Sequence, residues 1–146
     1  MDAQLCRRVT DKWKVSLGRM GEERAVQTLV DKGWTIEDRN WRSGRYSEID
    51  IVAREPGGLR VFVEVKSRCR KESSAGFQTI GFETLKRRKQ QKLITSARTY
   101  MAHIARSNAP FRIDIIVVDF ARLAGITDPD NLPEPSIIHV ENAICC

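Results

Sequence analysis

Apolar residues recur along this chain at a helical spacing first, then at every second position, then at a helical spacing again, and finally as a nearly continuous run. Over residues 17–32, Leu17, Met20, Ala25, Val26, Leu29 and Val30 fall on one side of a helix, and Gly33 supplies its stop. Residues 34–41 read as a short strand. A Ser43-Gly44 turn leads into the alternating residues 48–54, and Pro56, Gly57 and Gly58 turn the chain into a second alternating strand over residues 59–68. The polar stretch of residues 70–76 is expected to be a mobile loop. A helix over residues 83–106 gathers Leu85, Leu93, Ala97, Tyr100, Met101 and Ile104 on one face. Residues 111–120 suit a strand covered on both faces, residues 127–135 a loop, and residues 137–140 a short last strand. The order α-β-β-β-α-β-β predicts an α/β sandwich, a mixed central sheet flanked by two helices. Residues 1–15 show little periodicity and are expected to form a loose basic arm before a single domain over residues 16–146.

The hairpin carries the candidate chemistry. If its turn centres on Gly57, cross-strand partners pair Asp50 with Glu64 and Glu48 with Lys66, each pair sharing a face. The other face then holds Ile49, Ile51 and Ala53 against Val61, Val63 and Val65, an apolar surface for a helix. Like charges placed opposite each other destabilise a sheet unless a cation lies between them. Magnesium accepts carboxylate, carbonyl and water oxygens, so Asp50, Glu64 and the carbonyl of Val65 form a plausible partial shell, with Lys66 beside it. Glu22 places a carboxylate on the buried stripe of the first helix, whereas Glu23 turns to solvent. Glu48 is equally suited to a salt bridge with Lys66 and to a part in the chemistry.

The composition narrows the partner. Twenty-five Lys and Arg against nineteen Asp and Glu leave a formal charge of +6, which favours a polyanion. Lys86, Arg87, Arg88, Lys89 and Lys92 crowd the start of the second helix, and Arg39, Arg42, Arg45, Arg68, Arg70 and Lys71 add further candidate phosphate contacts. No stretch approaches a membrane span and the first residues lack a secretory core, so a cytoplasmic protein is expected. Cys6, Cys69, Cys145 and Cys146 lack zinc-ligand spacing and read as reduced thiols. His103 and His139 read as structural, and Asp114, within an apolar strand, as satisfied by a local hydrogen bond. Neither a serine or cysteine nucleophile with a partnered histidine nor a phosphate-binding glycine loop is evident.

Taken together, Gly18, Gly21, Glu22 and Ala25, then Arg39, Asn40 and Arg42, then Glu48-Ile49-Asp50 and Phe62-Val63-Glu64-Val65-Lys66, and last His139 with Asn142-Ala143, resemble the YraN-type bacterial endonuclease family. That family is similar to archaeal Holliday junction resolvases in the PD-(D/E)xK nuclease superfamily. The resemblance implies a restriction-endonuclease-like αβββαβ core. It also implies a Mg2+- or Mn2+-dependent endonuclease acting on DNA, with Asp50 and Glu64 as metal ligands, Lys66 as the activating lysine and Glu22 as the acidic residue of the first helix. Ser47 departs from the glycine usual before the Glu-Ile-Asp run, which alters the turn there. The alternative is a catalytically silent nucleic-acid-binding module of the same fold. A third reading is a basic scaffold that docks an acidic protein or forms a homodimer through Phe77, Ile80 and Phe82.

Overall fold

A computed structural model describes residues 3–45, 47–71 and 85–146. The elements are α1 (Ala3–Asp31), β1 (Thr35–Ser43), β2 (Ser47–Arg54), β3 (Arg60–Lys71), α2 (Arg87–His103), β4 (Phe111–Arg122) and β5 (Ser136–Ile144), with a 3-10 turn at Pro129–Asn131 before the last strand. The five strands form one sheet in the order β1-β2-β3-β4-β5, antiparallel throughout except for the parallel pair β3 and β4. This is the expected mixed α/β arrangement, consistent with a restriction-endonuclease-like core. The crossover from β3 to the parallel β4 runs through α2, as parallel neighbours require a long connection. Phe77, Ile80 and Phe82, with the rest of residues 72–84 and the side chain of Lys71, lie outside the described residues.

Each face of the sheet is covered by one helix. Ala25 and Leu29 of α1 pack on Ile51, Ala53, Val61, Val63, Ile116, Val118 and Phe120, joined by Trp34. Leu93, Ala97, Tyr100 and Met101 of α2, with Leu85, pack on Ile49, Val52, Phe62, Ile113, Ile115, Val117 and Ile144. Two residues expected on these faces are exposed instead. Val30 is one position past Leu29 and so rotates to the rim, and Ile104 lies beyond the last residue of α2.

The first helix departs from expectation at its start. Helical backbone reaches back to Ala3, through the residues expected as a loose arm. Trp13 in this stretch has the Arg122 guanidinium 4.6 Å from its ring centroid, so part of the extension touches the sheet. Extending an established helix costs little beside nucleating one, which lets it run past the periodic residues.

The hairpin register is the expected one over the turn end: Arg54 pairs with Arg60, Ala53 with Val61, Val52 with Phe62 and Ile51 with Val63. There the ladder stops. Neither expected pair beyond it forms: Asp50 does not pair with Glu64, which lies against Ile115 of β4, and Glu48 stays with Arg42 of β1 while Lys66 lies against Val117. The cause is local, because Asp50 Oδ2 accepts the Val65 N–H at 2.8 Å, a donor that a continued ladder would have offered to the β2 backbone. The sheet therefore forks at Asp50 and Glu64. The alternation of β2 breaks at the same place, so Ile49 packs on the α2 side and not with Ile51 and Ala53 as expected. Across from Asp50, β1 is kinked at Asn40, whose φ of 50° lies in the left-handed region.

Candidate metal and phosphate site at the sheet fork

Four elements converge on the fork. Glu64, on β3, is 8% exposed; its Oε1 lies 3.4 Å from Lys89 Nζ in the first turn of α2, and its Oε2 is buried with no hydrogen-bond partner. Asp50, on β2, is raised to a pKa of about 7, first by burial and then by the negative charge of Glu64. Glu64 is itself raised, by burial, against the opposing pull of Lys89. Glu22 reaches the fork from α1, half-buried, and is raised by burial and then by Asp50 and Glu48.

Asn40 ties the acidic groups together. With its amide turned to donate, its nitrogen lies 3.2 Å from Glu22 Oε2 and 3.2 Å from Glu48 Oε1. The left-handed backbone at Asn40 aims the side chain there, a strain that asparagine accepts more readily than most residues. Glu48 also takes an ion pair from Arg42 at 3.4 Å. Glu22, Asp50 and Glu64 are thus brought to one place, and Lys66 stands on the same strand, forming no ion pair among the described residues. No group of three or more His, Cys, Asp or Glu side chains among the described residues is arranged to hold a metal ion. An ion here would depend on two carboxylates, with carbonyl, water or substrate oxygens completing its shell.

Close packing sets how near α1 comes. A Cβ added to Gly21 would lie 1.7 Å from Ser67 Oγ and 2.8 Å from Ser67 Cβ, so only glycine lets the helix bring Glu22 this close to β3. On the other side Ser47 fastens β2 to α2, bonding the Lys92 carbonyl at 3.2 Å and the Ser96 hydroxyl. The serine that departs from the glycine of the resemblance therefore acts as a clamp.

A profile of the uncharacterised protein family UPF0102 matches residues 21–118. The chain belongs to this family. A UPF0102 protein of Chloroflexus aurantiacus is 40% identical over 120 residues, covering 82% of this chain and 91% of its own. Relatives bearing the UPF0102 name in Treponema denticola and Rhodococcus jostii are 36% identical over 110 residues and 32% over 129, covering 70% and 88% of this chain and 80% and 96% of their own lengths. The UPF0102 match begins at Gly21 and takes in Glu22, Asn40, Asp50, Glu64, Lys66 and Lys89, so the whole fork lies within it.

The basic residues divide into two groups. Arg39 pairs with Glu23 at 2.8 Å, Arg68 with Asp119 at 3.2 Å, and Arg70 Nε with Asp119 Oδ2 at 3.0 Å. Burial alone would raise Asp119, yet the Arg70 and Arg68 hydrogen bonds outweigh it and hold the carboxyl below its usual range. Arg45, Lys86, Arg87 and Arg88 are exposed, without an ion-pair partner among the described residues. No helix among the described residues is long and apolar enough to cross a membrane.

A second polar network lies below α1, away from the fork. Asp114, fully buried, accepts from Arg112 Nε at 2.7 Å and from the Asn142 N–H at 2.8 Å, and faces His139 Nε2 at 2.7 Å. His139 Nδ1 lies 2.9 Å from Lys32 Nζ. A lysine donating to Nδ1 leaves the imidazole proton on Nε2, directed at Asp114. His139 is structural, as its apolar neighbours in sequence suggested, and it links the end of α1 to β4 and β5.

Proposed function

We propose that this chain is a divalent-metal-dependent nuclease that hydrolyses phosphodiester bonds in DNA, with branched or junction DNA as the candidate form. One observation carries the reading: half-buried Asp50 and buried Glu64 meet at the fork, the first raised to about 7 and the second holding a buried oxygen with no donor. Such an arrangement costs stability unless a cation completes it. The oxygen donors suit Mg2+ or Mn2+, which Asp50, Glu64 and the Val65 carbonyl would hold, with Glu22 supporting a second ion or its water shell. When bound, the ion supplies Lewis acidity toward water and neutralises phosphate charge. Lys66 then orients the attacking water or stabilises the charge growing on the phosphate oxygens.

The start of α2 supports contact with phosphate. The side chain of its N-cap residue, Lys86, makes no capping bond, and its first turn carries Arg87, Arg88 and Lys89 and no acid. Cations at the positive end of a helix are unfavourable, and a phosphate there relieves both the charge and the open N–H groups. Arg45, Lys86 and Arg87 form the proposed nucleic-acid face, with Arg42 joining it from its exposed ion pair with Glu48. Arg39, Arg68 and Arg70 are engaged by carboxylates and contribute less.

Wild-type protein in magnesium or manganese is expected to cut at least one of branched, single-stranded or duplex DNA, and Glu64→Gln to cut none; equal cleavage by both overturns the reading. The Lys89–Glu64 ion pair favours a second reading, since it offsets the carboxylate without metal. That reading is a binding module of the same fold, for which DNA binding persists in chelator and no substrate is cleaved.

A further inference from the structure

The geometry points to Lys89 as a displaceable counter-ion that holds Glu64 in the metal-free protein and must leave before a divalent cation binds. The inference rests on the metal-site reading above. Lys89 is the one cation within ion-pair distance of Glu64 among the described residues, 3.4 Å from Oε1, although Lys66 is far closer in sequence. It satisfies only half of the carboxylate, because Oε2 stays buried and unpartnered. An ammonium and a divalent cation drawn to the same carboxylate repel each other strongly at contact distance in a partly buried site. The two are therefore competitors.

The side chain is built to move while its base stays fixed. Lys89 is 43% exposed, whereas the Lys86 carbonyl takes the N–H groups of both Lys89 and Gln90, and Gln90 Nε2 bonds the Leu85 carbonyl at 2.9 Å. Buried Leu93 and Ser96 seat the helix further along. A displaced Lys89 ammonium would join Lys86 and Arg87 on the exposed start of α2. Metal loading would thus add a cation to the nucleic-acid face, and a polyanion holding Lys89 there would in turn tighten metal binding, as linkage requires.

The test is a Mn2+ titration of the full chain without DNA, following the free-ion signal by electron paramagnetic resonance. Lys89→Gln is expected to bind the ion on the order of tenfold more tightly than wild type, and Arg88→Gln, an exposed neighbour on α2, to change affinity by less than about twofold. Lys89→Arg, which keeps the charge, should stay near wild type, and Glu64→Gln should lose binding. If Glu64→Gln loses binding but Lys89→Gln binds no more tightly than wild type, the counter-ion inference fails and the metal site stands. Equal tightening by Arg88→Gln also overturns the inference, since general charge would then explain it. If wild type and Glu64→Gln behave alike, the metal site fails and the inference fails with it.

Discussion

Asp50 takes the Val65 N–H with one oxygen and faces Glu64, so burial and like charge lift its pKa to about 7 from 3.8. A carboxyl raised on folding binds its proton more tightly in the folded state, so its contribution is complete below the ordinary carboxylate range and is lost as pH rises toward 7. Asp50→Asn removes that loss. Without metal, the variant should match wild type near pH 4 and exceed its stability by roughly 2–4 kcal/mol at pH 8, as read by urea unfolding. Asp114 runs the other way: burial would raise it, but the His139 and Arg112 hydrogen bonds win and hold it low. Its contribution is present above the ordinary carboxylate range and lost as pH falls. Asp114→Asn should cost about 3 kcal/mol at pH 7 in the same assay, the low end for a broken buried pair because Arg112 keeps Glu55 at 3.3 Å. That Asp50 and Glu64 lie near each other was legible from the turn centre, although Asp50 takes the Val65 N–H and the two do not pair in the ladder. Asn40 as a bridge and Lys89 as a partner of Glu64 were not, since each depends on contacts across elements.

The elements meet the site through a few close approaches. Gly21→Ala should cost about 1–3 kcal/mol, because the new Cβ overlaps Ser67 and the helix must lift from β3. Adding Ser67→Gly removes both overlapping atoms and should restore most of the loss, a coupling measurable by a double-mutant cycle in thermal or urea unfolding. Full additivity would show that the contact does not set the packing. The helices and strands were readable from periodicity, with ends shifted by a few residues except at the start of α1, which reaches back to Ala3. The fork was not readable, because it arises when an Asp50 side chain takes a backbone donor and β3 continues with β4 along its whole length. Nothing in the alternation of residues 48–54 marks that break, which is why Ile49 was expected on the wrong face.

Across the molecule, the formal +6 is unevenly available: Asp119 and Glu23 hold three of the arginines expected to meet phosphate, while the start of α2 is open. If DNA binds there, its affinity should fall as salt rises, and replacing Lys86 or Arg87 with Gln should each lower the log–log salt slope by about one. Arg68→Gln should leave that slope nearly unchanged, because its charge is matched within the protein. An equal effect for all three would place the interface elsewhere. The order of elements, the two-sided sheet and the nearness of Asp50 to Glu64, though not their pairing in the ladder, followed from local sequence, because hydrophobic period and turn chemistry act between near neighbours. The splaying of β2 from β3, the lysine that answers Glu64 and the arginines left free for a partner were decided by the tertiary structure alone, because each turns on charges and donors that only the folded chain brings within a few ångströms.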